Sequence, residues 1–183
     1  CPFTSTGTVA VQTGTLYFGN SFIQNAGETR LAGGSLSGSL FSFLGGTLSG
    51  NGMISGSVVN GALLSPGNSP GTITITENYT QTPAGTLQME LGGLAPDTGF
   101  DRLLVNGQVS LAGTLNVTLV NGFRPVGGDT FAVLRYASHT GNFTSTNGLA
   151  LGNGLNLKPN FTATTLTLTA IGSIVTPPTL AYS

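Results

Sequence analysis

Charge is what this sequence has least of. Charged side chains make up 6% of the 183 residues, against ~25% in an ordinary soluble globular protein. The formal net charge is −1, and the five bases, Arg30, Arg102, Arg124, Arg135 and Lys158, are scattered. No basic stripe exists to neutralise phosphates, which excludes a nucleic-acid binder. The single cysteine, Cys1, has no partner within the chain, so an intrachain disulfide framework is excluded. Long apolar runs are missing as well. Mean hydropathy is +0.25, yet the longest runs, such as Phe131–Leu134, read as strands and fall far short of the ~18 residues that span a bilayer. Membrane insertion of this segment is not expected.

Small neutral residues fill the gap: 29 Gly, 27 Thr, 16 Ser and 14 Asn. This is not a disorder signature, because 39% of residues are hydrophobic and disorder favours high net charge with little to bury. Gly, Thr, Asn and Ser are weak helix formers, and no segment sustains a 3.6-residue period. Strands of Thr and Ser turned at Gly and Asn fit instead.

A Gly–small–apolar element recurs at Gly7, Gly14, Gly34, Gly46, Gly61, Gly71, Gly85 and Gly113. Its spacing is loose, which suits stacked strands whose turns vary in length. Alternation with period 2 is clear in Thr72-Ile73-Thr74-Ile75-Thr76, Leu87-Met89-Leu91, Val109-Leu111, Leu115-Val117-Leu119 and Leu166-Leu168, placing apolar and polar side chains on opposite faces. Asn–Gly and Gly–Asn steps, among them Asn51-Gly52, Asn60-Gly61 and Asn121-Gly122, mark corners that tolerate positive φ. The expectation is an elongated all-β parallel solenoid from about residue 7 to 170. Leu48, Leu63, Ile73, Ile75, Leu87, Leu115, Val117 and Leu119 point inward. One domain covers residues 1–175, with Gly/Ser-rich coils to about 70 and longer strands over 71–170. An extended tail follows at 176–183.

Residues 45–93, and above all Leu64-Ser65-Pro66-Gly67-Asn68-Ser69-Pro70-Gly71 with its two Pro-bounded turns, resemble the β-strand repeat of bacterial autotransporter passenger domains. Residues 100–148 and 155–170 resemble the end of such passengers, just before their membrane barrel. The likeness spans about residues 33–170. It implies a right-handed parallel β-helix exported to the cell surface, acting as a stalk or displaying binding loops, and it supplies no catalytic residues. The 183 residues hold no membrane barrel, a departure from the family pattern; the expectation is either a barrel that was removed or a related fibre or surface-layer subunit that never had one. The absent initiator Met points to a removed leader or an excised piece of a longer chain. Cys1 stands where a bacterial lipoprotein is acylated, but the plainer reading is an unpaired thiol.

No catalytic, cofactor-binding or metal-binding residue is assigned. His139 reads as a solvated turn residue; with Ser138 and Asp101 it makes a nominal triad, but no nucleophile elbow is present. Asp97 and Asp101, with Glu90 upstream and Arg102 adjacent, form an acidic loop. Ca²⁺ wants about six to eight oxygens, and the spacing matches no calcium motif, so an ordinary loop is expected. Asp129 reads as a turn residue. Sequons at Asn78, Asn116, Asn142 and Asn160 barely exceed the roughly three that this composition gives by chance, so they permit glycosylation without indicating it. Thr72/Thr74/Thr76 and Thr165/Thr167/Thr169 suggest an ice-binding array, opposed by the irregular repeat spacing.

The functional expectation is a secreted or surface-exposed structural module, not an enzyme: a stalk, adhesin scaffold or filament subunit. An ice- or glycan-binding module is the alternative, and a polysaccharide-processing enzyme comes last. No cofactor is implied, while a surface glycan or host ligand is a candidate partner. Neither end shows a capping segment, with Thr8–Val11 and Thr164–Ala170 as strong terminal strands. Head-to-tail self-association into filaments is the corresponding partner expectation.

Overall fold

The computed structural model describes residues 1–172; the expected tail at 176–183 lies outside the described residues. Every regular element is a β-strand, and none of the described residues is helical. The chain is all-β, as its helix-poor composition requires.

The chain runs in circuits, each laying its strands alongside those of the circuit before. Strands β1 (Phe3–Ser5), β2 (Thr8–Val11) and β3 (Thr15–Tyr17) make the first. β4 (Phe22–Gln24) returns parallel to β1, with Phe22 opposite Phe3. β5 (Glu28–Phe43) pairs along its length with β2, then β3, then β4. One strand meets three neighbours in succession only by turning corners, and the register shifts after Ala32 and Ser37 are where it turns. β6 (Thr47–Asn60) follows β5 around the same corners. β7 (Leu63–Pro66), β8 (Thr72–Ile75) and β9 (Tyr79–Gln81) lie parallel on successive parts of β6. β10 (Thr86–Leu91), β11 (Arg102–Val105) and β12 (Gln108–Leu111) pair in turn with β7, β8 and β9. β13 (Thr114–Leu119), β14 (Thr130–Arg135) and β15 (Ser138–Gly141) lie on those three, and β16 (Ser145–Asn147) on β13. The circuit falls from 19 residues, Phe3 to Phe22, to 16, Thr47 to Leu63, then lengthens to 31, Thr114 to Ser145. Extra length goes into turns while register holds, which explains the loose repeat spacing.

The pairing changes after β16. β17 (Ala150–Gly152), β18 (Leu155–Phe161) and β19 (Thr165–Ile171) run antiparallel, β17 on β18, β18 on β19, and β19 on β14. The sheet of 19 strands is therefore mixed. Two expectations need correction. The parallel pairing ends at Asn147, not near residue 170. Thr165–Ile171 is not a terminal edge but an interior strand between β14 and β18, so antiparallel strands cover part of this end. The signal is hard to read because alternation with period 2 is the same in parallel and antiparallel strands.

Register carries the core. One column stacks Phe3, Phe22, Phe41, Val58, Tyr79 and Val109; another stacks Leu48, Leu64, Leu87 and Leu115; a third stacks Leu36, Ile54, Ile75 and Val105. Apart from Phe3, which is 51% exposed, nearly all are fully buried, each worth about 1.5–3 kcal/mol relative to exposure. Phenylalanines crowd the first circuits, with Phe18 and Phe22 centroids 4.9 Å apart and Phe22 and Phe43 5.8 Å apart. Of the expected inward residues, Leu48, Ile73, Ile75, Leu87 and Leu115 are fully buried and Val117 nearly so. Leu119 is only partly buried. Leu63 is a miss: it is 36% exposed, and Leu64 is the buried residue. Leu64 faces Leu48 and Leu87, which leaves Leu63 beside the outward Thr47 and Thr86.

Gly46 shows why corners need glycine. Its φ is +77°, and a Cβ there would collide with the Gly27 carbonyl of the circuit below.

Candidate functional site

The corner between β7 and β8 lies against the corner between β10 and β11, because β10 pairs with β7 and β11 with β8. It gathers Arg30, Asn51, Asn68, Glu90, Asp97, Asp101 and Arg102, much of the charge in the chain. Asp101 is fully buried. Its Oδ1 accepts from the Gly71 amide at 2.8 Å and its Oδ2 from the Glu90 amide at 2.8 Å. The side chain thus ties the 64–71 turn to β10. Asn51 Oδ1 accepts from the Thr72 amide at 2.7 Å, and Arg30 donates to Asn68 at 3.3 Å. Asp97 forms an ion pair with Arg102 at 3.2 Å and accepts from the Thr72 hydroxyl.

Burial pushes the Asp101 carboxyl up to about 7; the amides of Glu90 and Gly71 pull it down, and the nearby Glu90 charge adds to the rise. Desolvation wins because the group has lost all its water and gained two neutral dipoles rather than a cation. Asp101 is therefore not the ordinary loop residue expected from sequence. Its partners lie 11 and 30 residues away, which no local pattern marks. Asp97 and Asp101 face different partners, and among the described residues no three His, Cys, Asp or Glu side chains converge.

His139 also departs from expectation. It lies on β15, opposite Val109, half-buried rather than solvated in a turn. Its ring centroid is 5.0 Å from Tyr136 and 5.1 Å from Phe161, nearly parallel to the latter. No hydrogen bond joins it to Asp101, whose oxygens serve the two amides, so the nominal triad with Ser138 is not assembled. Asp129 accepts from the Val126 amide at 2.8 Å, as a turn residue does.

A polar network inside the core escaped sequence reading. Asn60 donates to the Tyr79 hydroxyl at 3.1 Å, and that hydroxyl donates to Gln81 Oε1 at 2.8 Å. Gln81 Nε2 in turn donates to the Ala112 and Thr114 carbonyls at 2.8 and 3.0 Å. Gln24 Nε2 does the same at an earlier corner, reaching the Gly45 carbonyl at 2.9 Å. These amides satisfy carbonyls at and beside the corners. Burial raises the Tyr79 phenol, with the Asn60 bond opposing it.

Among the sequons, Asn78 accepts from the Gln108 amide and Asn116 from the Asn147 side chain, while Asn142 and Asn160 are exposed. The Thr72/Thr74/Thr76 array does not continue at Thr74, which has Met53 on one side and Leu104 on the other, and in the second array Thr169 meets Thr130 but Lys158 on its other side.

A groove of about 550 Å³ opens beside β11 and β14, lined by Thr74, Leu104, Val105, Asn106, Arg135, Tyr136, Ala137 and Thr164. A smaller one, about 130 Å³, lies by Arg124 and Pro125.

A comparison with protein-family models and with curated proteins finds no match to this chain. The likeness to autotransporter passengers rests on the sequence pattern alone.

Proposed function

We propose that this chain is a structural module of a bacterial-type cell surface or secretome, folded as a right-handed parallel β-helix and serving as a stalk, adhesin scaffold or filament subunit. One observation carries the reading: every strand from β1 to β16 pairs in parallel with the circuit before or after it, with register shifts only where β5 and β6 turn corners. Circuits stacked about 4.8 Å apart build length rather than enclose a catalytic cleft. Supporting it, the outward positions are mostly Thr, Ser and Asn, and the Asp97 and Asp101 carboxylates of the charged corner are engaged by Arg102 and by the Gly71 and Glu90 amides. The resemblance to autotransporter passengers supplies the expectation of export.

Three measurements test this. Small-angle scattering of the isolated chain should give an elongated envelope; a near-spherical one sinks the solenoid. The exposed Cys1 thiol should react with a membrane-impermeant maleimide on intact producing cells, and labelling only after lysis rejects the surface assignment. Polysaccharide cleavage abolished by Asp97→Asn would replace the structural reading with an enzymatic one.

Filament formation is the narrower form of the proposal. β15 and β16 each have a parallel partner on one side only, as do β1 and β2 at the other end. Head-to-tail addition would join these edges. Light scattering before and after deletion of Cys1–Thr6, which removes β1, tests it; a monomer at high concentration in both cases leaves a stalk.

A further inference from the structure

We propose that the groove beside β11 and β14 binds an acidic oligosaccharide, with Arg135 taking the carboxylate of a uronic-acid unit. Thr74, Leu104 and Arg135 are register neighbours on three consecutive parallel strands, so the groove floor runs across the strands for about 10 Å. That is long enough for an oligomer rather than a lone anion. Arg135 is exposed and, among the described residues, forms no ion pair and no side-chain hydrogen bond, whereas Arg102 is paired with Asp97 and Arg30 bonded to Asn68. No carboxylate lines the groove. Of the two nearest in sequence, Glu77 accepts from Ser57 and Asp101 is taken up by the Gly71 and Glu90 amides. A protein with so few charges thus places an uncompensated guanidinium in a cavity of ligand size.

The remaining lining narrows the ligand class. Thr74, Asn106 and Thr164 offer two hydroxyls and an amide that are drawn into no side-chain hydrogen bond among the described residues. Val105 and Tyr136 are buried, 3% and 2% exposed, which leaves only Leu104 and Ala137 as accessible apolar surface. Such a lining has no pocket for an apolar side chain, and one guanidinium without a second cation suits a monoanionic carboxylate better than a phosphate. Several hydroxyl partners, a carboxylate and a small C–H face describe a uronic-acid sugar.

The test is calorimetric titration of the intact chain with β-1,4-linked triglucuronate, its neutral counterpart cellotriose, and acetate. Saturable binding of the triglucuronate that weakens with added salt is expected, with neither control binding in the same range. Arg135→Met should weaken it about 10- to 100-fold, the loss of one charge-assisted hydrogen-bonded contact, and Thr74→Val by several-fold. Both side chains face outward, and retained far-ultraviolet spectra and melting curves confirm that the variants fold. Absent binding, equal binding of cellotriose or acetate, or undiminished binding to a folded Arg135→Met variant would overturn the assignment.

Discussion

Replacing Asp101 by Asn isolates the one buried carboxyl of the corner. The carboxyl is raised from 3.8 to about 7 in the fold. At about 1.36 kcal/mol per pH unit, the folded state holds the proton by up to about 4 kcal/mol. The sign follows from linkage: a carboxyl raised on folding stabilises fully below its unfolded value, and that stabilisation is lost as pH rises through the folded value. The window is therefore roughly pH 4 to 7. The amide is neutral throughout, so its stability has no such slope. It also turns one acceptor into a donor: an Asn that keeps the Gly71 bond sets its NH₂ against the Glu90 amide, at about 1–3 kcal/mol. Urea unfolding followed by circular dichroism, from pH 4.5 to 8.5, should show Asp101→Asn less stable than the parent at the acid end by about that amount. The gap should close or reverse at the alkaline end. Subtracting the two curves cancels the titrating groups that are not coupled to Asp101, which leaves Asp101 and its neighbour Glu90. A parent-minus-variant difference that stays constant with pH would refute the account of Asp101.

Further substitutions probe the register and the interior. Leu64→Ser should cost about 2–5 kcal/mol in chemical denaturation, while the adjacent Leu63→Ser stays within about 0.5 kcal/mol; equal effects would mean the register is wrong. Ile75→Asp buries an unpaired charge and should abolish cooperative folding at 25 °C, so a variant that melts like the parent contradicts the inward assignment. Tyr79→Phe removes the hydroxyl between Asn60 and Gln81 and should lower stability by about 1–3 kcal/mol, read from the shift in urea midpoint; no shift would mean the network contributes nothing net. Gly46→Ala should lose at least about 1 kcal/mol, because it meets both an unfavourable φ and the Gly27 carbonyl, and an unchanged melting temperature would count against that corner geometry.

The amino-acid sequence by itself determined the class of structure. Helix-poor composition and period-2 alternation leave only strands, and single-phase segments such as Thr72–Thr76 state their own inside and outside. Where two apolar residues adjoin, as at Leu63-Leu64, the sequence offers both phases, and only pairing with Leu48 and Leu87 selects one. Strand direction was illegible for a similar reason: Thr165–Ile171 alternates like any parallel strand, and the antiparallel reversal exists only in its partners β14 and β18. The site residues lay further out of reach. Asp101 reads as one more loop carboxylate until the fold brings it the amides of Gly71 and Glu90, and Arg135 as one scattered base until it is set in register beside Leu104. Side-chain alternation is a property of a few consecutive residues and is written locally. Burial, titration and binding depend on neighbours a full circuit away, which only the stacking of the chain on itself supplies.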